Sequence, residues 1–529
     1  MRLERPEARA RRGEVSGVIG DSPGVEGRPA AKGPRGGRLL RLALGAAILV
    51  LALQALAARR LELTFDEAYY VLWSRSLSLG YLDHPPMVAF MIRASTALFG
   101  QSELGVRALS LFLVGALPGL IAFIAWRLFR SVETAALAVV MWIAAPLILA
   151  GALFVTPDAP LVVFWTLGLA ALAELWRSGK AGWLIAIGFA LGLALQSKFT
   201  AAFFAAGVAL AFVATPSLRR WLVSPMLAAS LGIAVAVFTP FVAWNARHGW
   251  ATFLKQLGRA PPHGLAPQYV VEFVASQIGL INPLVFVALV AAIASVSWRP
   301  RPAPGSPEEA RRMLLSTIAP AAAYFLLHSL HDRVQGNWLA PLYPASAILA
   351  ADWVARMLRA GAAGLKGAIA RASLWAAPIG LAVAAVAYAQ AITGFLPLGA
   401  LDPAARIEGF RGLAGELDAR ARGEGAPFLL TQGYALTSLM TYYGDPSIAI
   451  VQPDERIRWI FEGEPPADLF AGPGLALGDA GKDFAPELKL HFRTVEPAGV
   501  LERRRDGTVI AAYPLYRVAE PFRAVLDPI

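Results

Sequence analysis

The chain has 529 residues, of which 57% are hydrophobic and only 16% charged. Because soluble globular proteins contain about a quarter charged residues, this composition excludes an ordinary soluble domain and indicates a polytopic α-helical membrane protein. The net charge of +11 lies largely in short loops between apolar runs, so we expect these loops to face an anionic lipid surface and expect no nucleic-acid partner. The chain contains no cysteine, which excludes disulfides and thiolate metal sites.

The chain begins with a basic segment and continues into a series of apolar runs. Residues 1–37 are rich in Arg, Gly and Pro and predict a disordered cytoplasmic tail. The run at 41–58 predicts a retained first helix and not a cleaved signal. Eleven stretches approach the roughly 20 apolar residues that a span requires. They lie near residues 39–58, 105–127, 133–154, 158–176, 181–197, 199–215, 225–244, 271–297, 313–330, 338–357 and 372–394.

The distribution of Lys and Arg predicts the orientation of these spans. With the N-terminus in the cytoplasm, every second loop is basic, as the positive-inside rule requires. Every residue that we consider for chemistry then falls on the outer face. The outer segments are 59–104, 156–158, 197–198, 245–270, 331–337 and everything after about residue 395.

The first outer segment, 59–104, carries the densest group of ionisable and aromatic residues. Its apolar spacing predicts short amphipathic helices that are separated at Pro85-Pro86. Asp66 and Glu67 stand together where the first span ends. They are either a solvated helix cap or a partly desolvated general base with a supporting carboxylate, and their aromatic neighbours favour the second interpretation.

Two further residues join this group on the outer face. Asp158 is either a turn residue after Pro157 or the second wall of a site opposite Asp66. Lys198 lies between two very apolar runs and is either a snorkelling lysine or a point charge for a phosphate. No His or third carboxylate stands at metal-ligand spacing, so we expect neither a metal nor another cofactor.

Additional outer cations strengthen the prediction of an anionic substrate. Arg75 and Arg259 are two of them. Several cations together with two or three carboxylates predict a phosphate-bearing substrate and a proton to be removed. An enzyme that acts beside the bilayer on a lipid phosphate meets both requirements.

The composition changes after residue 396, and residues 397–529 predict a small soluble α/β domain on the outer face. PFLLTQ at 427–432 and SIAIVQ at 447–452 are typical of strands, and GYALTSLMTYYG at 433–444 is typical of a helix. The stretch 500–518 predicts a hairpin that turns at Asp506-Gly507.

The motif FDEAYYVLWSRSLSLGYLDHPPMVAFMI resembles the first outer loop of the GT-C membrane glycosyltransferases, in particular the bacterial branch of glycosyltransferase family 39. TPDAPLVVFW, LGLALQSKFTA, NARHGWATFLKQLGR and GNWLAPLYPA are similar to later pieces of that family, in the same order. The resemblance implies a GT-C fold with roughly 11–13 transmembrane helices and a catalytic membrane domain at 38–396. This family includes protein O-mannosyltransferases and transferases that attach aminoarabinose to lipid A.

The resemblance also implies roles for individual residues. It implies a catalytic Asp66 with Glu67 beside it, Asp158 in the wall of the same cavity and Lys198 as a ligand of the carrier phosphate, so we take Asp66, Glu67 and Asp158 as the catalytic candidates. The charge of the leaving phosphate leads us to expect an arginine such as Arg75 or Arg259 beside Lys198. Other residues of the first outer loop are expected to line the substrate cavity. These are Tyr69, Tyr70, Asp83, His84 and Pro85.

The predicted reaction is transfer of a sugar from a polyprenyl-phosphate donor to an envelope acceptor such as lipid A or lipopolysaccharide core. It would proceed with inversion on the periplasmic face of the bacterial inner membrane, and Asp66 would act as the base. The alternative is a protein O-glycosyltransferase of the same fold. A lipid or solute transporter is disfavoured, because transporters place polar groups near the middle of the membrane and here the charges cluster at one face.

Overall fold

A computed structural model of the chain describes residues 34–258, 264–297, 302–398, 402–466 and 468–527. Residues 1–33 of the predicted disordered tail therefore lie outside the described residues. Arg259, predicted to bind the donor phosphate, also lies outside them.

A bundle of α-helices forms the first three quarters of the chain. Its core is built from apolar faces of helices that are far apart in sequence, including buried Trp142 and Trp165. The helices are α1 Pro34–Arg60, α2 Phe65–Arg75, α3 Met87–Phe99, α4 Glu103–Phe129, α5 Val132–Ile143, α6 Asp158–Ser178, α7 Gly182–Leu195, α8 Ala202–Ala214, α9 Pro225–Arg247, α10 Ala251–Leu257, α11 Gln268–Ile281, α12 Pro283–Ala294, α13 Pro307–His328, α14 Tyr343–Arg359, α15 Gly364–Ala372 and α16 Ala376–Thr393.

The lengths and apolarity of these helices are those of a multi-pass membrane protein. In the described part of the chain, five helical segments are long and apolar enough to cross a bilayer, and seven if each of two sharply bent pairs counts as one span. The other predicted spans correspond to helices that are shorter or more charged. Among the shorter ones, α5 and α7 are apolar, and so is α3, which was predicted as a short helix and not as a span.

The predicted span at 271–297 consists of two helices and is sharply bent. The chain bends by 107° between α11 and α12. Asn282 stands at the bend with φ of 84°, a conformation that Asn adopts more readily than most residues. Its side chain accepts a hydrogen bond from the Leu284 amide and donates to the carbonyls of Ala144 and Ala376. The amide side chain therefore fixes the bend against two neighbouring elements.

The two short outer helices predicted from the first outer segment are confirmed as α2 and α3. Thr64 caps α2, because its hydroxyl accepts from the Glu67 amide while the Glu67 carboxylate accepts from the Thr64 amide. This reciprocal pair is a capping box. Pro85-Pro86 precedes α3, as predicted.

The C-terminal part forms a five-stranded mixed sheet with helices packed on it. The two predicted strands, the helix at 434–443 and the hairpin turning at Asp506-Gly507 are confirmed. A helix at 410–424 and a central strand at 474–477 escaped prediction. The elements are α17 Phe410–Glu424, β1 Phe428–Thr431, α18 Tyr434–Tyr443, β2 Ala449–Val451, β3 Gly474–Leu477, α19 Ala485–Leu488, β4 Phe492–Arg505 and β5 Thr508–Pro521, in the sheet order β2-β1-β3-β5-β4.

This sheet domain packs directly on the first outer segment. The Tyr443 hydroxyl accepts a hydrogen bond from the Leu63 amide at 2.7 Å, and Glu62 accepts from the Phe410 amide at 2.8 Å. Ala68 of α2 is buried in the core of the sheet domain. Helix α2 is consequently held between the membrane domain and the C-terminal domain.

Candidate active site

A polar cavity of about 220 Å³ lies where α2, the start of α6 and the C-terminal domain meet. Most of its wall consists of ionisable, amide and aromatic side chains, which suits a polar substrate. The cavity brings together three residues predicted from distant parts of the sequence, Asp66, Asp158 and Lys198. The lining residues are Asp66, Tyr69, Tyr70, Asp83, His84, Thr156, Pro157, Asp158, Lys198, Gln256, Gln335, Asn337, Trp338, Tyr434 and Arg458.

Asp66 lies in the first turn of α2 and projects into the cavity wall. Its carboxylate accepts a hydrogen bond from the Tyr434 hydroxyl at 3.2 Å. Burial raises the pKa of Asp66 to about 6, Tyr434 opposes this rise, and the nearby charges of Asp83 and Glu67 add to it. A carboxylate with this pKa is ionised at neutral pH and basic enough to receive a proton, which suits a general base.

Glu67, predicted to be catalytic with Asp66, points away from the cavity and is fully buried. Its two oxygens accept from the Arg107 guanidinium at 2.8 and 2.7 Å. The amides of Val155 and Thr64 donate to the same carboxylate, each at 3.0 Å. These bonds join α2 to α4 and to the segment that precedes α6. Glu67 thus fixes the position of the turn that carries Asp66.

Asp158 begins α6 and forms an ion pair with Lys198 at 2.7 Å. The Asn337 side-chain amide donates to the other carboxylate oxygen at 2.8 Å. Both members of the pair keep 13% of their side-chain surface exposed, so the lysine is accessible from the cavity. An ammonium has three N–H donors, and one of them satisfies Asp158.

An apolar pocket, also of about 220 Å³, adjoins the polar cavity beside this ion pair. Thr156, Asp158 and Asn337 line both spaces, so the two share a wall. The remaining lining residues of the pocket are mostly aliphatic. They are Val114, Leu147, Ile148, Gly151, Ala152, Phe154, Ala159, Val162 and Ala340. A charged group at Lys198 and an apolar chain could therefore be held side by side.

Asp83 is the centre of a second ionic group on the opposite wall. Lys255 lies 3.0 Å from one oxygen, and Arg458 lies 2.6 Å from the other. Burial acts to raise the pKa of Asp83, but the charges of Arg458 and Lys255 outweigh it and the pKa is lowered. Asp83 is therefore a counter-ion and not a proton acceptor near neutral pH.

The other predicted cavity residues divide into two groups. Tyr69, Tyr70 and His84 line the cavity, whereas Pro85 is buried behind it. Arg75, predicted to bind the donor phosphate, lies at the exposed C-terminal end of α2, outside the cavity lining. Its guanidinium lies over the ring of Tyr442 at 5.6 Å.

Sequence reasoning missed the cavity residues that come from other elements. Asn337 belongs to the piece GNWLAPLYPA, whose resemblance to the family was its only signal, and the neighbouring Trp338 fits either a sugar or lipid groove or an interfacial aromatic belt by its sequence. Tyr434 and Arg458 come from the C-terminal domain, where strands and helices were predictable but docking was not. Among the described residues no group of three His, Asp or Glu side chains could hold a metal ion.

The chain is similar to a known protein family and to two solved structures. The profile of the family described as dolichyl-phosphate-mannose-protein mannosyltransferase matches residues 83–244, which include Asp158 and Lys198 and begin after Asp66. The ArnT structure from Cupriavidus metallidurans bound to undecaprenyl phosphate superimposes with a TM-score of 0.59 at 16% identity, covering 92% of this chain and 99% of that one. The apo form of ArnT gives the same TM-score and covers 94% of this chain.

The chain has the GT-C membrane glycosyltransferase fold. The resemblance predicted from the sequence is thereby confirmed. The lipid A galacturonosyltransferase RgtD from Rhizobium johnstonii is 27% identical to this chain over 287 residues. That similarity spans 54% of this chain and 59% of RgtD, so it covers little more than half of either protein.

Proposed function

We propose that this chain transfers a sugar from a polyprenyl-phosphate donor to an envelope lipid or glycan acceptor. The observation that carries the proposal is the arrangement of the cavity. Asp66, a carboxylate with raised pKa, and the accessible ammonium of Lys198 line one polar space that opens beside an apolar pocket. A lipid-linked phosphosugar needs these three features together.

The charges and the polarity of the two adjoining spaces favour one position for the donor. Its phosphate binds Lys198, and the first units of its prenyl chain occupy the adjoining apolar pocket. The sugar then lies in the polar cavity between Asp66 and the tyrosines of α2. The ArnT structure of the same fold was obtained with undecaprenyl phosphate, which supports this class of donor.

The chemistry requires one proton acceptor and one stabilised leaving group. The acceptor oxygen attacks the anomeric carbon, its proton passes to Asp66, and the bond from that carbon to the phosphate oxygen breaks. Polyprenyl phosphate leaves with an additional negative charge, which the Lys198 ammonium stabilises. Attack from the face opposite the phosphate inverts the anomeric centre. Glu67 acts as a positioning residue through its bonds to Arg107 and Val155.

The acceptor is proposed to be lipid A or a closely related envelope lipid. RgtD acts on lipid A, and its name describes a galacturonosyl donor. The protein O-mannosyltransferase alternative has the family profile in its favour, but that profile matches 162 residues in the middle of the chain. We therefore retain protein as the second acceptor class.

We propose that the reaction takes place on the periplasmic face of the bacterial inner membrane. Helix α6 is about 30 Å long at 1.5 Å per residue, and Asp158 lies at one end of it. The other end carries the basic residues Arg127, Arg177 and Lys180, which favour the cytoplasm. The cavity and the C-terminal domain then lie outside.

Deletion of the gene followed by mass spectrometry of lipid A, core oligosaccharide and envelope protein tests the proposal. We expect one sugar to disappear from the lipid fraction and to return with a plasmid copy of the wild-type chain. A copy with Asp66→Asn should be present in the membrane and fail to restore the sugar. Loss of a sugar from protein alone would favour the O-glycosyltransferase alternative, and an unchanged envelope would contradict both.

The deletion experiment has a matched control variant in the C-terminal domain. Asp479 is partly exposed and pairs with Lys482 at 2.9 Å, away from the cavity. Asp479→Asn removes one carboxylate, as Asp66→Asn does, and should restore the sugar fully.

A further inference from the structure

The C-terminal domain contributes a tyrosine that touches the proposed base. Tyr434 is the first residue of α18, and its hydroxyl lies 3.2 Å from Asp66, which is 368 positions earlier in the chain. Burial raises the pKa of Tyr434 well above its ordinary value, so the hydroxyl remains a hydrogen-bond donor at neutral pH. A hydrogen bond to the charged form of an acid favours that form.

The ring of Tyr434 is held from three sides. Phe65 packs edge-on at 5.9 Å, and Tyr69 packs in a tilted arrangement at 5.4 Å, both measured between ring centroids. The Arg458 guanidinium lies over the same ring at 4.3 Å. Arg458 is itself fixed by Asp83 and by Glu455, which lies 2.9 Å away. The hydroxyl therefore has little freedom to leave Asp66.

Asp66 depends on the Tyr434 hydroxyl more than Glu67 depends on any one of its donors. Among the side-chain hydrogen bonds of the described residues, the bond from Tyr434 is the one that Asp66 accepts. Glu67 accepts from Arg107, Val155 and Thr64. Removing one donor from Glu67 leaves others, whereas removing the tyrosine hydroxyl leaves Asp66 without an oriented donor from this part of the chain.

We propose that Tyr434 is a positioning residue for Asp66, so that the C-terminal domain completes the active site. The hydroxyl orients the carboxylate towards the acceptor and keeps it ionised. This inference rests on the proposed function, in which Asp66 is the base. It assigns the C-terminal domain a part in the reaction itself, beyond covering the membrane domain.

The competing explanation is that Tyr434 serves only to dock the domain, and the chain offers a control for it. Tyr442 lies on the same helix and donates its hydroxyl to the Gln101 carbonyl at 2.9 Å, outside the cavity. Tyr442→Phe therefore removes one hydroxyl from the interface between the domains without touching Asp66. Tyr434→Phe keeps every ring contact and removes only the bond to Asp66.

The test compares pH–rate profiles of the full-length wild type, Tyr434→Phe and Tyr442→Phe, all reconstituted with a polyprenyl-phosphate sugar and acceptor lipid. We expect Tyr434→Phe to lower kcat about tenfold at pH 7 and to move the acid limb upward by about one pH unit, because the carboxylate loses its stabilising donor. The KM for the donor should change little. Tyr442→Phe should retain the wild-type profile.

Two outcomes would overturn the inference. The first is a Tyr434→Phe profile identical to that of the wild type. The second is an equal loss in Tyr442→Phe, which would show that any weakened docking has the same effect. Both outcomes require an active wild type, so they differ from failure of the proposed function, in which the wild type itself transfers no sugar.

Discussion

Carboxylates lie near both ends of α6, but they differ in burial and in the number of their hydrogen-bond donors. At the arginine-rich end, Asp352 lies between Arg311 and Arg356 at 2.7 and 3.0 Å. Glu309, fully buried at the same end, accepts from the Trp176 indole and from the Ser217 amide and hydroxyl. These acids have several donors each and join helices that are distant in sequence.

At the cavity end Asp66 and Asp158 are only partly buried and face open space, and Asp66 accepts a single hydrogen bond from the side chains of the described residues. Asp66 has the Tyr434 hydroxyl, and Asp158 has Lys198 and Asn337. Because a buried carboxylate without a full set of partners is costly, fully satisfied acids indicate structural links and incompletely satisfied acids in a cavity indicate chemistry. The comparison predicts different consequences for variants at the two ends.

The largest effect is expected for Glu67→Ala. Glu67 lies near the cavity, but unlike Asp66 it is fully buried and accepts hydrogen bonds from several donors. This change leaves the Arg107 guanidinium buried without its carboxylate. Breaking a buried ion pair by removing one partner costs about 3–5 kcal/mol, so the free energy of unfolding should fall by that amount. Thermal unfolding of the purified protein in detergent measures it. A variant as stable as the wild type would show that Glu67 does not fix α2.

Lys198→Ala is expected to impair transfer without unfolding the protein. Loss of a group that stabilises a developing charge lowers rates by about 10²–10³, and radiolabelled sugar transfer in proteoliposomes measures this. Lys180→Ala removes an equal charge from the opposite, exposed end of α6 and should transfer at the wild-type rate. Equal rates for the two variants would remove Lys198 from the donor site.

Glu309→Gln should lower the stability of the protein and leave its catalysis unchanged, which is the reverse of the effect expected for Lys198→Ala. Hydrogen bonds to charged groups contribute about 1.5–3 kcal/mol, and the unfolding free energy should decrease within that range. The pH–rate profile of the folded fraction should stay that of the wild type, because Glu309 lies at the end of the bundle remote from the cavity. A displaced profile would contradict the division between the two ends.

The smallest effect is the response of the wild type to pH. The pKa of Asp66 is raised to about 6, chiefly by burial. A base must be deprotonated to act, so transfer should be constant above this value and fall about tenfold per pH unit below it. A profile of kcat/KM between pH 4.5 and 8 measures the limb. An acid limb near pH 4 would indicate a carboxylate that is not desolvated.

Much of the architecture was predictable because it depends on local pattern. Apolar length predicted the helices, and Pro85-Pro86 predicted the break between α2 and α3. The bend at Asn282 was missed although Asn282-Pro283 is a helix-breaking signal in the sequence, whereas the contacts with Ala144 and Ala376 that fix its direction depend on tertiary packing. The strand at 474–477 has only four residues, and it was missed although Gly472-Pro473 and Gly478-Asp479 flank it with turn signals.

The candidate site was predictable only where loop charge and family resemblance singled out residues. Asp66, Asp158 and Lys198 were chosen in this way, and they line one cavity. Arg458 and Tyr434 were not chosen, because nothing in the sequence of a docked domain states which of its side chains meets the membrane domain. The roles of all these residues remain predictions that the experiments above address.

Transfer by purified Asp66→Asn in proteoliposomes, under single-turnover conditions with enzyme in excess over donor, tests the central claim most directly. The substitution preserves the size of the side chain and removes its basicity. We predict a rate at least about 10² below that of the wild type, with normal binding of polyprenyl phosphate and with Asp479→Asn fully active. A rate within a few-fold of the wild type would contradict the assignment of Asp66 as the base.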